Sequence, residues 1–283
     1  MKGLITKLTG GLYTIKVGDE YFNRKARGKF RHTNESPKVG DIADIDDNFI
    51  MKLYPRHNEL LRPPVVNVDQ VLLVFSAVEP DISYSLLDRF ISLITYNHVD
   101  IVLVVTKMDL INDSEEALLR ESLLYYSTLF EVIYTKSITD HNFKNLRIFE
   151  DKISVLAGQS GVGKSTLINA ISGRSILTAP ISKALGRGKH TTRHTELMEV
   201  EGGLVADTAG FSSLDFEGMD EVHLAQSFND FFEFGHDCKF RGCLHVSEPG
   251  CNVKSKVGTI IPESRYKNYL QFLEEIRSTK KKY

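Results

Sequence analysis

The sequence predicts a multidomain protein with an N-terminal five-stranded OB-type β-barrel, a central α/β domain built on a phosphate-binding loop, and a mostly helical, metal-binding C-terminal region. Three observations predict it. Residues 1 to 58 break into short runs separated by glycine and aspartate turns; strands and helices then alternate through Gly158-Gln159-Ser160-Gly161-Val162-Gly163-Lys164-Ser165; and all three cysteines lie between 238 and 251. The expected boundaries are 1–60, 61–215 and 216–283.

In the first segment, Leu4 to Leu8, Leu12 to Val17, Glu20 to Asn23, Ile42 to Ile45 and Phe49 to Tyr54 read as strands between Gly10-Gly11, Gly18-Asp19, Gly40-Asp41 and Asp46-Asp47 turns. Five short strands suggest an OB-type barrel, a fold that holds polynucleotides. Phe22 to His32 carries five basic residues, no acid and two aromatics. Phosphate attraction with base stacking uses that mixture, and its place in a barrel favours RNA over a merely solvated loop. A Pro-punctuated connector follows, through Tyr54-Pro55 and Arg62-Pro63-Pro64.

The second segment alternates. Val71 to Phe75 and Ile101 to Val105 are buried-strand patterns, Tyr84 to Asn97 and Ser114 to Phe130 are helical ones, the latter behind an Asp113/Ser114 cap signal, and Val132 to Tyr134 is a further strand. Such alternation gives a mostly parallel sheet covered on both faces, with ligands at the strands' carboxyl ends. Lys152 to Ala157 then reads as a buried strand and Leu167 to Ile171 as a helix, so the glycines from Gly158 sit at a strand-to-helix turn. Backbone N–H groups there can curl around phosphates, Lys164 can reach the β and γ phosphates, the Ser165 hydroxyl can ligate Mg²⁺, and Thr166 completes the loop.

Thr106-Lys107-Met108-Asp109 ends the strand Ile101 to Val105 and resembles the guanine-specificity element of GTPases. Guanine presents N1–H and its N2 amino group side by side, and one carboxylate, Asp109, can accept from both. Lys107 would lay its stem along the base. Thr106 lacks a side-chain amide, so a contact to the base edge or the phosphate loop is expected to be lost. Thr135-Lys136-Ser137 follows the next strand, where either a guanine-carbonyl contact or a plain loop fits. Asp207-Thr208-Ala209-Gly210 ends the strand Leu204 to Ala206; Asp207 can hold Mg²⁺ through water, and the Gly210 N–H can approach a γ-phosphate. Between them, Gly186 to Thr195 reads as a nucleotide-sensing switch in which, of Thr191 and Thr192, the reading favours Thr192 for closing on Mg²⁺.

At the C-terminal end, Asp220 to Phe234 is a phenylalanine-rich helical stretch whose Phe228, Phe231 and Phe232 suit a core. Cys238-x4-Cys243-x-His245-x5-Cys251 then supplies three thiolates and an imidazole, which complete a tetrahedral zinc shell with no open position. The expected zinc is structural. An amphipathic helix begins near Glu263 and ends at Lys280-Lys281-Lys282.

The order of the motifs is itself informative. In ordinary GTPases the phosphate loop comes first and the guanine motif late, whereas here Asp109 precedes Lys164 and Asp207 comes last. The G domain is therefore read as circularly permuted. That order, with Arg62-Pro63-Pro64 and Asn67-Val68-Asp69-Gln70 ahead of it and the Cys/His cluster behind it, resembles the RsgA (YjeQ) family over essentially the whole chain. The resemblance implies a GTP hydrolase that depends on the small (30S) ribosomal subunit and its 16S rRNA, acting in late assembly of the particle, with GTP and GDP as ligands. It also points to His190 as a water-positioning group, although a solvated loop histidine fits the residues equally. Phe211 stands where many GTPases place a glutamine, so slow intrinsic turnover and acceleration by a partner are expected.

Composition sets the outer limits. A hydrophobic fraction of 42% and a charged fraction of 25% are those of an ordinary soluble chain, with no apolar run near the ~20 residues of a membrane span. The start Met1 to Lys7 carries no secretory pattern, so a cytoplasmic, monomeric protein with no membrane partner is expected. Net charge is -2, so attraction to RNA has to come from local basic patches. The competing class is a small-molecule NTP-dependent enzyme or metallochaperone, and no nucleophile/base constellation outside the G domain supports it.

Overall fold

The computed structural model describes residues 1–32, 35–61, 63–136, 147–172, 195–207 and 214–280. In chain order its elements are β1 (Lys2–Thr9), β2 (Leu12–Val17), β3 (Glu20–Ala26), α1 (Lys29–His32), β4 (Ile42–Ile45), β5 (Phe49–Leu53), β6 (Glu59–Leu61) and β7 (Pro64–Val66). Next come β8 (Gln70–Ser76), α2 (Tyr84–Tyr96), β9 (Asp100–Thr106), α3 (Asp113–Ser127), β10 (Glu131–Tyr134), β11 (Ile153–Ala157) and α4 (Lys164–Ser172). The remainder are β12 (Glu196–Val200), β13 (Gly203–Asp207), α5 (Glu221–Ser227), α6 (Asn229–Gly235), α7 (Asn252–Lys256) and α8 (Glu263–Lys280). The chain forms two compact units: Met1–Leu72, Ile138–Ala157 and Gly163–Ser212 make the first, and Leu73–Ser137, Gly158–Val162 and Ser213–Tyr283 the second.

In the first unit β1 to β5 close on themselves. β1 pairs antiparallel with β2 and β4, β2 with β3, and β4 with β5, and a parallel β3–β5 contact completes the ring. Closure leaves no free barrel edge and sends alternate residues inward, so Ile5, Tyr13, Ile15, Ala43, Ile45 and Ile50 form a core that Phe30 of α1 joins. At Gly3 a Cβ would stand 2.6 Å from the Lys16 carbonyl oxygen, so only glycine allows β1 to cross β2 this closely. The basic stretch is not a loop throughout, because Phe22 to Ala26 belong to β3. Its aromatics also serve the barrel: Phe30 is 5% exposed and the partly buried Phe22 packs on the core, while Lys25, Arg27 and Lys29 are exposed.

The same unit holds strands of the α/β region. β11 runs parallel to β13, β13 pairs antiparallel with β12, and β12 meets β1 with Lys7 opposite Glu196. β12 is absent from the sequence reading, which placed a strand only from Leu204. The Pro-punctuated connector contains a small hairpin, β6–β7, with Pro64 at a strand start where its missing N–H does least harm.

In the second unit β8 neighbours β9, and β9 runs parallel to β10 with Val102 opposite Glu131. Every residue of β8 is buried, as expected of a strand covered on both faces. Ser83 caps α2 by accepting from the Leu86 N–H, while α3 starts one residue earlier than expected, with Asn112 and Glu115 forming a capping box. The expected single helix after Asp220 breaks at Phe228, whose extended backbone separates α5 from α6. Phe228 and Phe231 are core residues, but Phe232 is 51% exposed and packs edge-on against His236.

Ionic contacts fasten α8 to α2 and α6 inside this unit. The fully buried Arg265 guanidinium pairs with Asp88 of α2 and with Asp230 of α6, the latter at 2.7 Å. Asp88 also accepts from Asn268 and Tyr126, and Asp230 from Tyr125. Burial opposes the charge on Arg265, yet Asp88 and then Asp230 outweigh it and hold its pKa above the ordinary value. Nearer the surface, Arg89 of α2 donates to Glu275 at 2.9 Å and to the Leu214 carbonyl, with Phe216 and Phe272 against its guanidinium.

Candidate nucleotide site and metal centre

The glycine loop begins where β11 ends. Gly158 has φ +135°, and a Cβ there would fall 2.1 Å from the Val74 carbonyl oxygen, so any side chain collides with β8. Val162 is fully buried and anchors the loop's far side. Beyond it, the Leu167 N–H donates to the Gly163 carbonyl at 2.8 Å, opening α4, with Leu167 and Ile168 buried beneath. Lys164 stands at the helix start with its pKa lowered by burial, and Ser165 beside it is exposed. The chain crosses from the second unit to the first between Val162 and Gly163.

The guanine motif follows β9. Lys107 has φ +60°, which turns the chain into a short 3-10 turn, Met108–Leu110, that buries Met108 and leaves Asp109 exposed. The Lys107 ammonium donates to the Glu79 carbonyl. Thr106, expected to lose a contact, keeps one: its hydroxyl lies 2.6 Å from the Val162 carbonyl of the glycine loop and 3.1 Å from that of Phe75. A hydroxyl therefore makes the contact to the glycine loop at this position. The Met108 N–H donates to the Thr135 carbonyl at 3.2 Å, which brings the end of β10 against the motif. Asp207 ends β13 opposite Glu196. Its side chain, together with Ser137, His190, Thr192 and Gly210, lies outside the described residues.

The ligating atoms of Cys238, Cys243, His245 and Cys251 lie within 4.8 Å of one another. Cys238 Sγ is 3.9 Å from Cys251 Sγ and 3.7 Å from His245 Nδ1, and that nitrogen is 3.4 Å from Cys251 Sγ. A tetrahedral ion with ~2.3 Å bonds to sulfur and ~2.0 Å to nitrogen requires edges of about 3.8 and 3.6 Å, so the donor set fits, with Nδ1 as the nitrogen ligand. Burial pushes the Cys243 thiol up to about 12 and lowers the His245 imidazole, so the histidine is a neutral donor and a cation would be needed to hold the thiolates.

Residues that the sequence did not single out support this cluster. Tyr269 and Tyr266 of α8 donate to the Leu244 and His245 carbonyls, each at 2.6 Å. Glu248 accepts from the backbone N–H groups of Leu244, Val246 and Ser247, and although burial works against its charge these donors hold its pKa below the usual carboxylate value. The i, i+3 tyrosines were the available signal. Among the described residues no helix is long and apolar enough to cross a membrane.

A glycine phosphate loop, a guanine motif that precedes it in the chain and a closed barrel ahead of both define a circularly permuted P-loop GTPase with an appended Cys₃His centre. Comparison with known proteins gives the family. The model of the RsgA GTPase matches residues 53–217 and that of the RsgA N-terminal domain residues 2–48. The chain is 45% identical over 295 residues to the small ribosomal subunit biogenesis GTPase RsgA 2 of Oceanobacillus iheyensis, covering 100% of this chain and 99% of that protein. It is 44% identical over 291 residues to the small ribosomal subunit biogenesis GTPase RsgA of a Geobacillus species, with 100% and 99% covered. Among solved structures it is similar to YloQ, a circularly permuted GTPase (TM-score 0.84, 40% identity, covering 98% of this chain and 95% of that one). It is also similar to YjeQ from Thermotoga maritima (TM-score 0.82, 34% identity, covering 97% and 98%). The chain belongs to the RsgA GTPase family and is a GTP hydrolase.

Proposed function

We propose that this GTPase acts in biogenesis of the small ribosomal subunit, binding the 30S particle and its 16S rRNA and hydrolysing GTP to drive late maturation and its own release. The observation that carries the reading is the full-length similarity to proteins named for small-subunit biogenesis. The exposed cations of the barrel, Lys25, Arg27 and Lys29, support an RNA contact. The protein is read as cytoplasmic and monomeric, with a barrel at 1–60, a permuted G domain at 61–215 and a helical zinc domain at 216–283.

In this reading Gly158 to Thr166 cradle the phosphates, and Thr106 to Asp109 read the base. Ser165, Thr192 and, through water, Asp207 would hold Mg²⁺, which supplies charge neutralisation at the γ-phosphate together with Lys164. Cys238, Cys243, His245 and Cys251 hold one structural Zn²⁺. Gly210 senses the γ-phosphate and His190 positions water, a task that Phe211 cannot perform.

GTP turnover with purified 30S subunits, with 50S subunits and with neither tests the proposal. A rise with 30S alone is the expected result, and equal rates in all three would overturn it. His190→Ala should lose the stimulated rate while retaining 30S binding; an unchanged stimulated rate removes His190 from the mechanism.

A further inference from the structure

The turn between β8 and α2, residues 77–83, has no part in the chemistry described so far, yet three of its neighbours belong to the nucleotide site. Ser76, fully buried at the end of β8, donates its hydroxyl to the Pro80 carbonyl at 2.8 Å. The Ala77 N–H donates to the Thr106 carbonyl at 2.9 Å, at the start of the guanine motif. The Glu79 carbonyl receives the Lys107 ammonium. Pro80 Cδ stands 3.9 Å from the position a Cβ would take at Gly161, so the turn also lies against the glycine loop.

Lys107 is the residue whose outcome depends on this turn. A lysine side chain carries about 2 kcal/mol of rotamer entropy, and an untethered stem would have to be ordered each time a base arrived. With its ammonium held by the Glu79 carbonyl, the stem has less rotamer freedom left to lose and offers an apolar rail to a flat ring. Ser76 in turn holds the next peptide of the same turn, through the Pro80 carbonyl. Its hydroxyl is buried, and its partner is the backbone oxygen one residue beyond Glu79.

We propose that Ser76 and the Glu79–Pro80 peptide are positioning residues for guanine-nucleotide binding: Ser76 fixes the turn, the Glu79 carbonyl tethers Lys107, and the tethered stem supports the purine. The inference rests on the assignment of Lys107 and Asp109 to the base. It makes the contribution of Ser76 pass through Lys107, which separates it from a general effect on folding.

The test measures GDP, IDP and ADP binding by calorimetry on the full-length protein and on Ser76→Ala, Lys107→Met and the double variant. Lys107→Met keeps an unbranched stem and removes only the tethering ammonium. Each single variant should bind GDP and IDP about five- to tenfold more weakly, the effect of one hydrogen bond, with the GDP/IDP ratio unchanged because Asp109 is untouched. The double variant should be no weaker than Lys107→Met alone. Additive losses, or wild-type affinity in Lys107→Met, would overturn the proposal, and the second outcome decides it even if Ser76→Ala does not fold. If the wild type shows no preference for GDP over ADP, the base assignment itself fails, which is a separate result.

Discussion

Arg265→Met is the most demanding perturbation of this structure. The guanidinium and both of its acidic partners are buried, at 0% exposure for Arg265 and Asp88 and 2% for Asp230. Removing the cation leaves two carboxylates in the interior whose remaining donors, Asn268, Tyr126 and Tyr125, are neutral. Breaking a buried pair in this way costs about 3–5 kcal/mol, which in a domain of roughly 150–250 residues lowers Tm by about 6–20 °C. The chain contains no tryptophan, so circular dichroism at the helical band is the suitable probe of urea and thermal unfolding. The loss should depend on pH with a definite sign. Burial already pushes Asp88 upward against the pull of Arg265, and without the cation only the neutral Asn268 and Tyr126 donors oppose that push. A carboxyl whose folded pKa lies above its unfolded one stabilises fully below the unfolded value and loses that stability as pH rises through the folded value. The deficit should therefore be largest near neutrality and shrink as pH falls towards 4. Adding Asp88→Asn and Asp230→Asn should recover most of the stability, since amides need no counter-charge. A single-variant loss below about 1 kcal/mol, or a triple variant no better than the single one, would refute the argument.

Further outcomes are open to direct measurement. Gly158→Ala should abolish GDP binding and destabilise the protein by about 3 kcal/mol or more, because its methyl group meets the Val74 carbonyl; calorimetry and a thermal melt check both. Thr106→Val leaves the Val162 carbonyl without its hydroxyl donor and should weaken GDP binding by about 1–3 kcal/mol, whereas Thr106→Asn should restore most of it. Cys251→Ser, or a strong chelator, should remove bound zinc, quantified by metal analysis, and melt the segment 236–257 in hydrogen exchange. Burial lowers the Lys164 pKa, so in nucleotide-free protein its charge is a standing destabilisation that is relieved as pH rises from the folded pKa towards the unfolded value near ~10.4; Lys164→Met should flatten that rise in thermal melts.

The fold was most legible where periodicity and turn chemistry coincide. The five barrel strands are bounded by glycine and aspartate turns, and β8 and β9 carry the unbroken apolar runs Val71–Phe75 and Ile101–Val105 typical of a doubly covered strand. β12 escaped because Leu197 and Met198 are both buried in Glu-Leu-Met-Glu-Val, so no strict alternation marks it. The break at Phe228 escaped because helical spacing of phenylalanines continues across it while the backbone does not. In the site, the Cys/His cluster and Asp109 could be read from spacing. The roles of Ser76, Glu79, Tyr266 and Tyr269 could not, since each turns on a backbone carbonyl: Ser76 on that of Pro80 within its own turn, Glu79 on its own, and the tyrosines on those of Leu244 and His245 brought close by packing.

Magnitudes also bear on how a nucleotide signal can reach the C-terminal region. On the proposed reading Asp207, at the end of β13, lies beside the γ-phosphate, and six residues of sequence separate it from Leu214. A swing of α8 away from α2 would have to separate Arg265 from Asp88 and Arg89 from Glu275. A separation that left either buried charge in the interior without its partner would cost about 3–5 kcal/mol, while coupling between a ligand and a distant element is typically about 1–3 kcal/mol. On the proposed reading, a nucleotide-driven shift of the Cys/His region would therefore carry α2 with it, and with α2 the strands on either side of that helix in the chain, β8 and β9. The helices that follow Asp207 in the chain are thus fastened to α2, within the unit that also holds Thr106 to Asp109.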